Sequence, residues 1–240
     1  MWWDPNALDL GIEARFGIRQ AELLSKDVPP DVVDEDLARY RAWRRRRDET
    51  VAEAAVPSVA VVTVTELARR QVADLVPAPT AEPELLELEG RGRRPAGPRF
   101  GALVHAVLAA VPLDADRKAL GQVARLQGRL LGASDSEVVA AAEAAAAGLA
   151  HPLFDRVRRA AASGECRREA PVTMRGDDGV VVEGVVDLAF RDGDAWVVVD
   201  FKTDQELRAA IDVYRRQVQI YADMVARATG GPVHGVLMRV

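Results

Sequence analysis

The sequence predicts an α/β or α+β domain in which helices flank a small mixed β-sheet. Two β-rich runs, Val180–Arg191 and Ala195–Lys202, are separated by Asp-Gly-Asp, which is the strongest hairpin signal in the chain. A long helical stretch of about Asp204–Thr229 follows, and Gly230-Gly231 is expected to end it. Val233–Val240 then predicts a closing strand. Because strands and helices alternate here, we expect a sheet with helices packed against it.

Helical segments precede this hairpin. Phe100–Val111 has apolar residues at helical spacing, and the Ala- and Leu-rich segments Asp116–Leu131 and Ser136–Leu149 continue the pattern. A short helix is predicted over Phe154–Ala162 and a further strand over Arg168–Met174. This part of the chain therefore supplies the helices expected beside the sheet.

Changes in composition divide the chain into three predicted regions. Residues 1–76 are expected to form a helical N-terminal appendage, with a charged helix over Asp31–Glu53. The run Arg44–Arg47 on that helix is interpreted as a solvated face, with phosphate contact as the alternative. Residues 77–98 contain five prolines and are predicted to be a linker. Residues 99–240 are predicted to be the functional domain.

The overall composition excludes several classes of protein. With 240 residues, 49% hydrophobic and 29% charged, the chain has an ordinary globular balance rather than that of a disordered protein. A net charge of −5 excludes a strongly basic, histone-like binder. The single Cys166 excludes an internal disulfide framework, a zinc ribbon and a Cys-ligated iron–sulfur cluster. No run approaches the roughly 18 apolar residues of a membrane helix, and the first residues do not resemble a signal peptide, so we expect a cytoplasmic location.

The predicted hairpin brings acidic side chains together. With a two-residue turn at Gly193-Asp194, Asp187 lies directly opposite Asp200, with Cβ atoms roughly 5 Å apart. The strand period of two returns Lys202 to the same face. Like charges in this position destabilise a sheet, so the pair calls for a compensating cation, and a divalent ion with oxygen ligands fits. A three-residue turn would shift this register by one.

A second interpretation of these aspartates stays open from the spacing alone. Aspartates at strand ends are often turn residues, and Asp200-Phe-Lys could be an exposed strand terminus. Against this, Asp200 follows Val197-Val198-Val199, a run typical of a buried strand. As a strand-end residue, Lys202 is expected to contribute little to the stability of the fold.

Four motifs resemble a known family. They occur in the family's order and at plausible spacing: Gly101-Ala-Leu-Val-His105, Gly184-Val-Val-Asp187-Leu, Asp200-Phe-Lys202-Thr and Gln217-Val-Gln-Ile-Tyr221. Together they resemble the RecB/AddA-type nucleases of the PD-(D/E)XK superfamily, over roughly residues 100–240. The stretches Trp2-Trp3-Asp-Pro and Arg99-Phe-Gly-Ala-Leu-Val-His resemble the region that joins motor and nuclease in AddA-like helicase–nucleases. The resemblance implies a restriction-endonuclease-like core.

The resemblance also implies roles for individual residues. Asp187 and Asp200 would be metal ligands, joined by His105 and by the backbone carbonyl of Phe201. Lys202 would orient or activate the attacking water and stabilise charge that develops on the scissile phosphate. The alternative for His105, judged alone, is a histidine satisfied within the core.

Three further residues are implied to support the site. Gln217 and Tyr221 lie one turn apart on one helix face, where the family places them against the active site and the DNA strand. Plain packing explains Tyr221 equally well. Glu169, in Arg-Glu-Ala-Pro, resembles the acidic position ahead of the hairpin and would lie near the metal without binding it directly.

The function implied is a metal-dependent DNA nuclease, an exonuclease that takes part in double-strand break processing and recombinational repair. One or two Mg²⁺ or Mn²⁺ ions are expected as cofactors, and the single cysteine excludes the branch with an iron–sulfur cluster. The partners would be DNA, as single strands or duplex ends, and a helicase motor or second helicase–nuclease subunit, with no membrane.

The chain contains no Gly-x-x-x-x-Gly-Lys-Ser/Thr, so we expect neither an ATP site nor ATPase activity from it. It is expected to be the C-terminal part of a larger helicase–nuclease. One alternative is a catalytically inactive nuclease-like module that binds DNA or a partner subunit. The other is a motor enzyme, which an ATPase assay would distinguish.

Overall fold

The computed structural model describes four stretches of the chain: residues 29–70, 81–88, 95–176 and 178–240. Within them, side chains are not described for residues 204–209. The Trp2-Trp3 segment lies outside the described residues. Contacts divide the chain into two units, Met1–Ser58 and Val59–Val240. No helix of the described stretches is long and apolar enough to cross a membrane.

In the first unit the structure describes one helix, α1 (Pro30–Ala54). Pro30 occupies the first turn, where a missing N–H costs no helical hydrogen bond. No side chain of α1 is buried, and pairs such as Arg39 with Asp36, 2.7 Å apart, link neighbouring turns. The predicted charged helix is confirmed, and Arg44–Arg47 is exposed as expected for a solvated face.

The second unit contains six strands and six helices among its described residues. The strands are β1 (Val61–Thr63), β2 (Glu84–Glu87), β3 (Cys166–Arg175), β4 (Val181–Asp192), β5 (Ala195–Lys202) and β6 (Val233–Arg239). The helices are α2 (Val64–Arg69), α3 (Pro98–Ala110), α4 (Arg117–Leu131), α5 (Asp135–Leu149), α6 (Leu153–Ala162) and α7 (Asp204–Thr229). The predicted helices and strands from residue 100 onwards are present, with ends within about two residues of those expected. The predicted long helix is interrupted at Ala210, where φ is −157° and ψ is 41°.

The six strands form one mixed sheet in the order β1-β4-β5-β6-β2. β1 and β5 pair with different parts of β4, and β3 pairs with β4 along its opposite edge. The β3–β4 and β4–β5 pairs are antiparallel, whereas β1–β4, β5–β6 and β2–β6 are parallel. One apolar cluster joins α3–α6 to one face, and a second joins α2 and α7 to the other. This is the mixed sheet flanked by helices that the sequence predicts.

The hairpin between β4 and β5 has the predicted register but ends early. Asp192 pairs with Ala195 across a two-residue turn, in which Gly193 adopts a φ of +61°. Pairing continues to Leu188 opposite Val199 and stops one residue before the predicted Asp187–Asp200 pair. The N-terminal part of β4, Val181–Glu183, pairs with β1 instead. Residues 184–187 therefore form a fork, where β4 leaves one neighbour and joins another.

The side chains of β4 also exchange faces at this fork. Val182 and Val186 pack with α2 and α7, whereas Leu188 and Phe190 pack with α3–α6. Strict alternation would place all four on one face. The strand therefore departs from regular alternation at Asp187.

The sheet includes residues from both the predicted appendage and the predicted linker. β1 and α2 belong to the same unit as β4–β6, although they lie in the predicted appendage 1–76. β2 lies within the predicted linker 77–98 and pairs with β6. Strands as short as β1 and β2 depend for their stability on the strand with which they pair. The division into a connecting appendage, a linker and a functional domain stays a prediction.

Gly184, in the fork, allows α7 to approach β4. A Cβ atom built on it would lie 2.7 Å from Cε1 of Tyr221 and 3.0 Å from Cγ2 of Val64. Since both neighbours are buried, the packing has little room to give.

We expect Gly184→Ala to lower the free energy of unfolding by about 1–3 kcal/mol through overpacking. Chemical denaturation measures this loss, with Gly231→Ala as the control because no atom lies within 4 Å of a Cβ there. Combining Gly184→Ala with Tyr221→Leu should lose less stability than the two single changes together. Additive losses would contradict the proposed clash.

An ion pair ties the start of α3 to α5. Arg99 donates to both carboxylate oxygens of Glu137, at 3.1 and 3.0 Å, and Glu137 also forms the capping box of α5 with Ser134. The Arg99 hydrogen bonds, with those from Ser134, lower the pKa of Glu137 from 4.5 to about 2.

Because this pKa is lower in the folded state, the pair stabilises the fold above pH 4.5, and its contribution is lost as pH falls towards 2. The melting temperature of Glu137→Gln should consequently fall less steeply with acidification over that window than that of the parent. Glu143→Gln, an exposed change on the same helix, is the control. Parallel pH profiles for parent and Glu137→Gln would contradict the assignment.

Candidate active site

Asp187 lies at the fork, where backbone pairing between β4 and β5 ends. Its Oδ2 accepts a hydrogen bond from the backbone N–H of Phe201 at 2.8 Å. A side chain of β4 thus satisfies a donor of β5 at the position where the ladder ends. Burial raises the pKa of Asp187, but the hydrogen bond and charge of His105 and the charge of Lys202 outweigh burial and lower it overall.

His105 reaches Asp187 from α3. Its Nδ1 lies 3.3 Å from Oδ1 of Asp187, and its ring meets Phe201 edge-on with centroids 6.3 Å apart. Burial would lower the pKa of His105, but the hydrogen bond and charge of Asp187 raise it overall. The protonated imidazole can therefore donate to a carboxylate that stays ionised.

Asp200 and Lys202 lie on the opposite face of β5 from Phe201. Oδ2 of Asp200 is 2.6 Å from Nζ of Lys202, and the two residues are 3% and 7% exposed. Burial raises the pKa of Asp200 to about 6, helped by the charge of Asp187 and opposed by that of Lys202. The sequence expectation that Lys202 contributes little to the fold is wrong, because its ammonium compensates a buried carboxylate.

Among the described residues, the Lys202 ammonium also contacts Phe201 and Tyr214. It lies 3.3 Å from the carbonyl oxygen of Phe201 and 4.9 Å from the centroid of the Tyr214 ring. The predicted metal ligand Phe201 carbonyl is thus in contact with lysine. Sequence analysis did not select Tyr214, although its position three residues before Gln217 places it on the same helix face.

Gln217 and Tyr221 extend from α7 towards the fork. Nε2 of Gln217 lies 3.3 Å from Oγ1 of Thr65 and 3.5 Å from the Tyr221 hydroxyl. That hydroxyl accepts a hydrogen bond from the backbone of Val185, and burial raises its pKa. Among the described residues, Oε1 of Gln217 has no hydrogen-bond partner although the residue is 7% exposed. Thr65, which sequence analysis did not select, joins α2 to this contact.

Glu169 occupies the β3 position opposite Asp187. The β3–β4 register is regular on both sides, from Arg168 with Leu188 to Ala170 with Val186, and the pair is interrupted only at Glu169. Glu169 has a φ of +49°, which is unfavourable for a side chain of this size. Burial and the Asp187 charge raise the pKa of its carboxyl group. The strained backbone of Glu169 therefore lies opposite Asp187, the residue at which β4 departs from regular alternation.

The predicted ligands fit a divalent cation by chemistry, but they are engaged with one another. Two carboxylates, a carbonyl oxygen and an imidazole suit Mg²⁺ or Mn²⁺. Among the residues that the structure describes, no three His, Cys, Asp or Glu side chains are grouped as a ready metal site. Asp187 contacts His105, and Asp200 contacts Lys202. Binding a cation would require it to take over those contacts.

Comparisons with known proteins indicate the family of this chain. Residues 81–240 match the PD-(D/E)XK nuclease superfamily. An ATP-dependent helicase/nuclease subunit of Desulforamulus reducens is 27% identical over 225 residues, which cover 82% of this chain and 17% of that protein. The protein of the same name from Desulforudis audaxviator is 32% identical over 201 residues, covering 69% of this chain and 16% of that protein. The chain spans less than a fifth of either relative.

The matched family segment contains every residue that the sequence proposed for the site, from His105 to Tyr221. It also contains the five strands β2–β6 and the fork on which those residues meet. Since the match covers two thirds of the sequence, the chain belongs to the PD-(D/E)XK nuclease superfamily.

Proposed function

We propose that this chain is a metal-dependent DNA nuclease that hydrolyses phosphodiester bonds as an exonuclease. The observation that carries the proposal is the convergence of Asp187, Asp200 and Lys202 with His105 at one fork of the sheet. Paired carboxylates beside a buried lysine are suited to holding a cation and stabilising negative charge on a phosphate. Membership of the nuclease superfamily supports the same chemistry.

Asp187 and Asp200 would hold one or two Mg²⁺ or Mn²⁺ ions, with His105 and the Phe201 carbonyl as further ligands. A bound ion would lower the pKa of a coordinated water and neutralise charge on the phosphate. The Phe201 N–H holds the carboxylate of Asp187 in place from the second oxygen, which limits its rotation. That contact would keep the ligand oriented when His105 moves from hydrogen-bond donor to ligand.

Lys202 is the residue proposed to act on the reaction itself. Its ammonium is held beside Asp200 in a site with little access to water, where electrostatic interactions are stronger than in bulk solvent. From there it would orient the attacking water and stabilise the charge that develops on the phosphate. Gln217, through its unpartnered Oε1, and Tyr221 would support the DNA strand or the site, and Glu169 would act beside the metal without ligating it.

The biological setting is proposed from the relatives. Both are named as ATP-dependent helicase/nuclease subunits, and this chain aligns with less than a fifth of each. We infer that the nuclease acts with a helicase motor or second subunit on single strands or duplex ends, in double-strand break processing and recombinational repair. The sequence contains no P-loop, so the motor activity would reside elsewhere.

Metal binding is tested by thermal unfolding. Millimolar Mn²⁺ should raise the melting temperature, because a ligand that binds only the folded state stabilises it by mass action. Asp200→Ala should lose most of this increment, whereas Asp194→Ala, in the exposed hairpin turn, should keep it. Equal melting temperatures with and without metal, over a range of concentrations, would contradict a metal site here.

Nuclease activity is tested with labelled linear single- and double-stranded DNA in Mg²⁺, Mn²⁺ and EDTA. Lys202→Met should slow cleavage by about 10²–10³, the usual effect of removing one preorganised electrostatic contact. Its DNA affinity should fall by about tenfold or less, as expected when one phosphate contact among several is lost. Lys118→Met, at an exposed position of α4, is the matched control and should cut like the parent.

The outcomes separate the proposal from its rival. Because Lys202 compensates buried Asp200, Lys202→Met will melt lower than the parent, and its cleavage is measured well below that temperature. Cleavage by Lys202→Met at the parent's rate would show that the chemistry lies elsewhere. A parent that binds DNA but cuts it with neither metal would favour a nuclease-like binding module.

A further inference from the structure

Tyr214, which lies outside the four family motifs, is held against Lys202 by a small apolar cluster. The cluster consists of Val218 and Leu237, fully buried, with Leu85, Ile211 and Tyr214 packed against them. It joins β2, β6 and α7, so three elements fix the position of the tyrosine ring. The Lys202 ammonium lies 4.9 Å from the centroid of that ring.

This distance is within the range in which a cation is attracted by the negative face of an aromatic ring. Such attraction is larger where the cation is desolvated, and Lys202 is 7% exposed. Asp200 and the Phe201 carbonyl hold the same ammonium through polar contacts. The ring thus adds a third contact, one that attracts the ammonium without neutralising its charge.

We propose that Tyr214 is a positioning residue, whose ring holds the Lys202 ammonium at the location where the nuclease reaction needs it. The proposal rests on the nuclease function proposed above. A second carboxylate at this place would cancel the positive charge that a phosphate requires, whereas an aromatic face leaves it available. The hydroxyl of Tyr214 is not needed for this role, so phenylalanine should replace it.

The first test follows the ammonium itself and does not depend on activity. The chain contains three lysines, Lys26, Lys118 and Lys202, so isotope-labelled lysine gives a simple NMR spectrum. Lys202→Met assigns the Lys202 signal. Its side-chain signals should be shifted upfield by the aromatic ring in the parent and in Tyr214→Phe, and the shift should disappear in Tyr214→Leu. An unshifted Lys202 signal in the folded parent would overturn the proposal.

The second test measures steady-state cleavage. We expect Tyr214→Leu to lower kcat by about tenfold, the size of effect that a partly desolvated cation–ring contact supplies. Since the ring acts on Lys202 and not on bound DNA, KM should stay within about twofold. Tyr214→Phe should restore kcat. Leu120→Ala removes packing from the separate cluster on the other face of the sheet and serves as the control, with a lower melting temperature but the parent's kcat.

A fluorinated phenylalanine series at position 214 keeps the shape of the ring and gives a result even where Tyr214→Leu does not fold. Mono-, di- and trifluoro rings weaken the negative face in steps, so kcat should fall in steps with an unchanged melting temperature. Constant kcat across the series, or equal losses in Tyr214→Leu and Leu120→Ala, would overturn the proposal. If the parent cuts no DNA, the nuclease function fails, and the NMR test alone decides whether the ring holds Lys202.

Discussion

The arrangement of this site depends on one hydrogen bond, from the backbone N–H of Phe201 to the carboxylate of Asp187. In a regular hairpin that donor would bond to the neighbouring strand's backbone. Here a side chain accepts it, so β4 is released from β5 one residue before Asp200 and turns to pair with β1. A buried N–H left without a partner would be unfavourable. The aspartate therefore makes the fork possible and is itself held in place by it.

The fork lets side chains from both layers of helices meet. Phe201 belongs to the cluster beneath α3–α6, and His105 packs against it from α3. Lys202 points to the other side, where Tyr214 and Gln217 extend from α7. A continuous sheet would keep these groups apart. Where β4 exchanges neighbours and faces, Asp187 contacts His105 and Phe201 directly. Its charge also raises the pKa of Asp200.

The sequence predicted what depends on local pattern. The Gly193-Asp194 turn sets the register of five pairs by hairpin geometry, and that register was correct from Asp192 to Leu188. The same arithmetic could not show that pairing stops before Asp187, because the reason is a side-chain hydrogen bond rather than a turn. Likewise, sequence pattern could not show that β1 pairs with β4 or that β2 pairs with β6, because these contacts join distant parts of the chain.

The candidate site shows the same limit. The four motifs placed His105, Asp187, Asp200 and Lys202 in one group, and the structure brings these residues together, although their roles stay predictions. The sequence did not single out Tyr214, because sequence spacing reveals a helix face but not which cation lies above a ring. The positive φ of Glu169 follows from packing across strands, and nothing in Arg-Glu-Ala-Pro indicates it.

Each of the two buried aspartates has a partner within the chain that can balance its charge. The raised pKa of His105 favours its cation, which neutralises Asp187, while Lys202 neutralises Asp200. Neither carboxylate is therefore buried alone. A divalent cation bound by the same aspartates, with His105 as a neutral ligand, would leave the positive charge of Lys202 in surplus. A DNA phosphate is the natural counterion for that surplus, so cation and substrate would favour each other's binding. In the proposed mechanism, a metal bound to Asp200 would replace Lys202 as the partner of that carboxylate, and the lysine would then be available to the phosphate.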